Sequence, residues 1–170
     1  MSPISGKFVA PALSKVICET VAAFTKPPRL VEDFTLSAQV LDYRRLGKQR
    51  VEALQIYNVL VDNPTLQGNK YKGWRRHPAV LMWEGYEEAL LLYKNKMIEE
   101  WILRDYNNTM ELVGLPDSIK MPPWVGDSRV HASHRSNLLR KDFKYYSNKS
   151  RKLFGKQWSE PTDMEYYWVV

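Results

Sequence analysis

LDYRRLGKQRVEAL, residues 41–54, decides how the rest of the chain is read. Four cations, Arg44, Arg45, Lys48 and Arg50, crowd a short helical run before one carboxylate, Glu52, with apolar residues flanking the run on both sides. So much like charge on a core helix fits either an ordinary solvated face or a face built to meet a polyanion. At about 100° per residue, Arg45, Lys48, Gln49 and Glu52 fall on one side of the helix. Lys48 and Glu52, four apart, can form a surface salt bridge worth roughly 0.3 kcal/mol in the less favourable order. Alternatively, Glu52 is the one basic oxygen of a cationic groove. There it can serve a substrate's sugar or base, as general base or as stabiliser of a developing cation.

Composition bounds the possibilities. A chain of 170 residues fits one domain with a proper core. Six Trp and ten Tyr make it rich in aromatics, and the net charge is +6. That balance favours an anionic partner. The charge is concentrated: residues 127–156 hold nine Lys/Arg against Asp127 and Asp142, so the rest of the chain is slightly acidic. A further cluster, Lys70, Lys72, Arg75 and Arg76, is interleaved with Tyr71 and Trp74. Cations beside flat rings suit phosphates beside bases. The single cysteine, Cys18, excludes an internal disulfide and fits a reducing, intracellular compartment. No apolar run is long enough to span a membrane.

The body reads as all-α: one compact domain of about three main helices, residues 34–170, preceded by an N-terminal arm, residues 1–33. The arm carries four cations and one acid before residue 30, a loose likeness to an organelle-targeting peptide, and is broken by TKPPRL. It is a candidate surface for a protein partner. The first helix is expected to start at Thr35 or Ser37 and to run to Val61, where DNPTLQGN ends it. The second starts at Pro78, a residue suited to a first helical turn, and runs to about Asp105. Its core stripe is Trp83, Tyr86, Leu90, Tyr93, Met97 and Trp101. The third spans 128–147, and the tail MEYYWVV is expected to pack back as an extended segment.

His77, His131 and His134 are the only histidines. An H-x-x-H pair plus His77 can in principle hold zinc, but no Cys cluster or HExxH pattern accompanies it, and no metal is expected. His77 precedes Pro78 at a helix start, which suits capping or a phosphate contact. Neither a P-loop, nor G-x-S-x-G, nor a Rossmann fingerprint occurs.

Three blocks, LDYRRLGKQRVEALQI, GWRRHPAVLMWEGYEEALLLY and PPWVGDSRVHASHRSNLLRKD, resemble the pyrimidine-dimer DNA glycosylase family, typified by phage endonuclease V, and most closely its short bacterial and viral branch. The likeness covers roughly residues 34–146. It implies a compact helical fold that excises a damaged base from DNA with no metal or organic cofactor. In that family an N-terminal amine attacks the sugar C1′, a Glu on the first long helix assists, and neighbouring arginines hold phosphates. The register places Arg44 at the phosphate-binding Arg, Lys48 at the next cation, and Arg45 where the family carries its Glu. About thirty extra residues precede the helix, so the Ser2 amine reaches the site only if the arm folds back. Glu52, two turns further on, is expected to replace the carboxylate, which favours hydrolysis by an activated water.

The resemblance therefore implies a DNA glycosylase, with or without AP-lyase activity, acting on double-stranded DNA with an extruded nucleotide. Glu52, His77 and His134 are its expected catalytic residues. Arg44, Arg45, Lys48, Arg75, Arg76, His131, Arg135, Arg140 and Lys141 are the expected DNA contacts. Trp74 or Trp124 would stack on a base or wedge into the duplex. The alternative is a non-catalytic nucleic-acid-binding or structural protein on the same scaffold, for example in a nucleoprotein or virion assembly.

Overall fold

The structure, a computed structural model, describes residues 30–61 and 74–169, and among them every regular element is helical. Most of the arm, with Ser2, and the cations Lys70 and Lys72 lie outside the described residues. Each of the three expected helical runs is two helices. They are α1 (Leu30–Val40) and α2 (Tyr43–Leu60), α3 (Pro78–Leu81) and α4 (Glu87–Leu103), and α5 (Ser128–Lys141) and α6 (Phe143–Phe154).

The first interruption falls inside the opening stretch. α1 begins at Leu30, within the stretch read as arm, and α2 is capped by Asp42 rather than by Thr35 or Ser37. The Asp42 carboxylate accepts the Arg45 backbone N–H at 3.1 Å, satisfying one of the helix's orphan donors. The carbonyls left over at the end of α1 are taken by Arg104, from the end of α4. Its guanidinium donates to Ala38 O at 3.1 Å, Gln39 O at 3.0 Å and Leu41 O at 2.7 Å. The Tyr145 hydroxyl adds a bond to Leu41 O at 3.2 Å. The break is thus fixed by groups more than sixty positions away, which local propensity does not foresee.

The other two breaks are local. Gly85, at φ +78°, takes a left-handed turn that lets the chain leave α3 and re-enter a helix at Glu87. Asp142 ends α5 and its carboxylate caps α6 through the Tyr145 N–H at 2.9 Å.

α4 is the central helix, packed on α2 and α1, while α6 packs on α5 and α1. The expected stripe is core: Trp83, Leu90, Tyr93, Met97 and Trp101 are buried and Tyr86 partly so. Phe34 meets Tyr93 edge-on at 5.3 Å, and Trp83 meets Trp124 edge-on at 4.9 Å. Helix α2 approaches α4 closely at Gly47, where an added Cβ would stand 3.0 Å from the Trp101 ring. That ring is held by Tyr43 stacked at 5.3 Å and by its own indole N–H on Asn107 O at 2.8 Å. Gly47→Ala gains about 1 kcal/mol of helix propensity but crowds a pinned indole at about 1–3 kcal/mol. The expected outcome is a lower urea midpoint, not the higher one that propensity alone gives.

The tail after α6 packs back without strand pairing, as the sequence suggests. Serines of α5 and α6 anchor it: Ser150 Oγ accepts from Trp158 N at 3.0 Å, Ser136 Oγ from Met164 N at 3.2 Å and Ser133 Oγ from Tyr167 N at 3.2 Å. Among the described residues no helix is long and apolar enough to cross a membrane.

Candidate functional site

α2 presents two adjacent stripes to one side of the molecule. Tyr43, Gly47, Arg50 and Val51 form one, and Arg44, Lys48 and Glu52 the other. Together with Trp101 of α4 they line an open cavity of about 580 Å³. A second cavity, of about 640 Å³, is lined by Asp42, Tyr43, Arg44, Arg45, Lys48, Lys141 and Asp142. The two share Tyr43, Arg44 and Lys48, so they adjoin across the start of α2 and are together called the groove. Four of the expected DNA contacts, Arg44, Arg45, Lys48 and Lys141, line it.

The groove keeps a net positive charge, since Arg44, Arg45, Lys48, Arg50 and Lys141 outnumber Asp42, Asp142 and Glu52. Arg44 and Lys48 are exposed, and no ion pair joins either to a described residue. The salt bridge that the spacing of Lys48 and Glu52 allows is therefore not formed. The first turn of α2 carries cations and no acid. Cations at a helix N-terminus face the positive end of the macrodipole, an arrangement costing about 0.3–1 kcal/mol each that a bound anion relieves. Asp42 and Asp142 are the counter-charges in the second cavity, and Asp42 is already engaged. Burial would raise its carboxyl, but hydrogen bonds from the Tyr146 hydroxyl and from Arg45 hold it below the ordinary value. Arg45 bends back onto Asp42 and over the Tyr146 ring, at 5.5 Å.

Glu52 stands in the lining of the first cavity with only 4 % of its surface exposed. Its Oε2 accepts from the Gln49 amide at 3.3 Å, and Gln49 Oε1 accepts from the Tyr93 hydroxyl at 2.6 Å. Both partners are fully buried. The relay Tyr93–Gln49–Glu52 orients the carboxylate from beneath. Gln49 shares Glu52's side of the helix in the sequence, but its role depends on Tyr93, a helix away.

The remaining expected site residues lie elsewhere. His77 caps α3: its Nδ1 accepts the Ala79 N–H at 3.1 Å, and its ring lies against Trp74 and Trp168. His131 is buried, Nε2 at 2.6 Å from Val125 O. His134 is fully buried against Tyr166, so it is closed off from substrate. Arg135 pairs with Glu160 at 2.5 Å, which turns it toward the tail and away from a phosphate role. Trp124 is buried and donates to Met82 O at 2.8 Å, and so stands in the core rather than as a wedge. Arg75 and Arg76 are exposed beside the half-buried Trp74, and Arg140, also exposed, reaches back to Asn137. None of these lines the groove. Among the described residues no three His, Cys, Asp or Glu side chains gather into a metal-binding group.

Burial and the neighbouring His131 push His134 well below its ordinary 6.5, and neither ring nitrogen has a hydrogen-bond partner. Below pH 6.5 the unfolded chain therefore takes up a proton that the folded chain refuses. Stability should fall as the pH drops from 6.5, with a slope approaching about 1.4 kcal/mol per pH unit. Urea unfolding at pH 7.5 and 5.5 measures this, and His134→Gln should flatten the dependence.

Comparison with known proteins bears on what this groove does. A family model described as pyrimidine dimer DNA glycosylase matches residues 28–113, about half of the chain, and the match includes all of α1 to α4. No curated protein and no solved structure matches the chain.

Proposed function

This chain belongs to the pyrimidine dimer DNA glycosylase family, and on that premise we propose that it excises a damaged or modified base from double-stranded DNA at the groove on α2. The observation that carries the reading is the placement of Glu52 in one cavity with Arg44, Lys48 and Arg50. A phosphate backbone laid on Arg44, Lys48 and Lys141 brings an extruded nucleotide to the only carboxylate in that cavity's lining.

In this reading Glu52 takes a proton from a water as the water's oxygen bonds to the sugar C1′. The glycosidic bond breaks, and its electron pair leaves with the base, which is then protonated by solvent. The negative charge also stabilises the oxocarbenium character that develops at C1′. Gln49 and Tyr93 hold the carboxylate in position. Hydrolysis is the preferred mechanism in this reading because Glu52 supplies a carboxylate in the cavity lining that can activate a water.

One incubation separates the mechanisms. Oligonucleotides bearing a thymine dimer, uracil, an abasic site or a bulky modified cytosine are mixed with the protein, with and without borohydride. Base release with no trapped adduct is expected. A covalent adduct would instead assign the chemistry to an amine.

A second reading, a nucleic-acid-binding protein without chemistry, is favoured by one feature. Arg45 occupies the position at which the resemblance places the family's Glu, and it is tied to Asp42. Binding without release from any substrate would select that reading. Both readings share an expectation about salt. Replacing Arg44 or Lys48 with Ala should each lower the slope of log K against log salt by about 1. The same changes should weaken affinity uniformly across sequences, as titrations from 50 to about 200 mM salt would measure.

A further inference from the structure

α6 carries a cationic face that the proposed chemistry does not use. Lys144, Lys149 and Lys152, with Asp142, Tyr145 and Asn148, line a third cavity, of about 360 Å³. Lys144, Asn148 and Lys152 are exposed and Lys149 is half-buried. This cavity adjoins the groove at Asp142, which lines both. Helices α2 and α6 start side by side there: the Tyr146 hydroxyl donates to Asp42, and the Tyr145 hydroxyl to Leu41 O at 3.2 Å. The three cavities therefore follow one another from Glu52, past the junction of the two helix starts, to Lys152.

The lysines lack counter-charge. No ion pair joins any of the three to a described residue. Glu100 acts on Lys149 but already pairs with Arg104 at 2.7 Å. Burial lowers the Lys149 ammonium from its ordinary 10.5, and Arg104 and Lys152 add to the effect. Asp142, the one acid in the lining, is engaged by the Tyr145 N–H at 2.9 Å. Three lysines against one aspartate leave the cavity at +2. That all three cations are lysines bears on the ligand. Arginine's planar fork suits a carboxylate taken bidentately, whereas a compact ammonium on a flexible stem suits phosphate oxygens met from several directions. From Lys144 to Lys152 the helix rises about 12 Å, the length of about three or four successive phosphates on one strand of a duplex. Asn148, between them, can add a neutral donor to a phosphate.

Resting on the reading of the groove as a DNA site, we propose that the lysine face of α6 is a second seat for the phosphate backbone, which takes the duplex flanking the extruded nucleotide on one side only. The family match does not reach it, since Lys144, Lys149 and Lys152 lie beyond residues 28–113. One-sidedness follows from the layout. The cations continue along α6 from the Asp142 end of the groove, whereas α2 past Glu52, from Ala53 to Leu60, carries none. The seat reads no sequence. It fixes which way round the protein lies on the duplex.

The test uses the full chain and three duplexes, each with one bulged thymidine. The short duplex has about six base pairs on each side of the bulge, and the other two are lengthened to about sixteen on the 5′ side only or on the 3′ side only, because α6 adds about five base pairs of track. At about 50 mM salt, wild type should bind one lengthened duplex about tenfold more tightly than the other. The triple variant Lys144→Gln, Lys149→Gln, Lys152→Gln should bind the two alike and keep its affinity for the short duplex. Its slope of log K against log salt on the duplex that wild type favours should fall by about 3. Lys144→Gln and Lys152→Gln alone, at exposed positions in no ion pair with a described residue, should each lower that slope by about 1. Equal binding of the two lengthened duplexes by wild type overturns the proposal without recourse to any variant. A triple variant that keeps the preference also overturns it, as does one that loses affinity equally on the short duplex, where the lysines then act as a general field and not as a seat. In each case wild type still binds the short duplex with salt dependence, so the groove reading stands. Absence of DNA binding by wild type removes both.

Discussion

Glu52→Gln should lower the rate of base release by about 10²–10⁴-fold, the range typical of losing a positioned general base. The substitution keeps the side chain's size, and an amide oxygen can still accept from Gln49, so the fold and the cavity shape are retained. DNA affinity should be unchanged or slightly higher, because one negative charge leaves a groove lined by Arg44, Lys48 and Arg50. The informative comparison is therefore single-turnover release against equilibrium binding on the same duplex. An intact rate in Glu52→Gln would take the chemistry away from this carboxylate. A parallel loss of rate and affinity would make Glu52 an organiser of the groove and not a reacting group.

The second large effect concerns stability. Asp42→Ala should cost about 2–4 kcal/mol, combining a lost N-cap with a buried hydroxyl deprived of its acceptor. The hydroxyl is that of Tyr146, which donates to Asp42 from α6. Burial and then this bond to Asp42 raise its ionisation far above the ordinary 10. Asp42→Asn preserves a cap acceptor and should cost clearly less. The carboxyl's folded value lies below its ordinary 3.8, so its contribution is present above pH 3.8 and is lost as pH falls below that. Urea unfolding of the two variants at pH 7 and about pH 3 checks both statements. Equal costs for Ala and Asn would mean that the carboxylate's links to Tyr146 and Arg45, rather than the cap that Asn preserves, carry the contribution. Releasing Arg45 from Asp42 should also strengthen anion binding in the groove.

Much of the fold could be read from periodicity alone. Leu90, Tyr93, Met97 and Trp101 are core because their three- and four-residue spacing puts them on one face of α4, while Trp83 reaches the same core from the turn before it. What periodicity misses is where a run stops when the stop is made by tertiary partners. Arg104 and Tyr145 close α1 from a distance, and the local signal is the single N-cap residue Asp42, set in an otherwise continuous helical pattern. The basic face was legible in type but not in rotation. Arg45 shares a helix side with Glu52 by angle, yet Asp42 and Tyr146 draw it away, and Arg44 takes its place beside the carboxylate. His77 caps α3, the role its place before Pro78 suggests, whereas His134 fills a core, where a ring looks, in sequence, like one poised for proton transfer. Arg50 was counted among the cations, but its orientation is set by Trp101 and Asn108, which no local pattern connects to it.

The central claim is that DNA lies in the groove on α2 with an extruded nucleotide above Glu52. Hydrogen exchange of the chain with and without a duplex carrying one bulged thymidine tests it most directly. The account predicts new protection in residues 43–52 and 141–142, together with Asn107–Asn108 behind the Trp101 wall. Protection confined to the outer face of α6, around Lys149 and Lys152, with α2 exchanging as in the free protein, would contradict it.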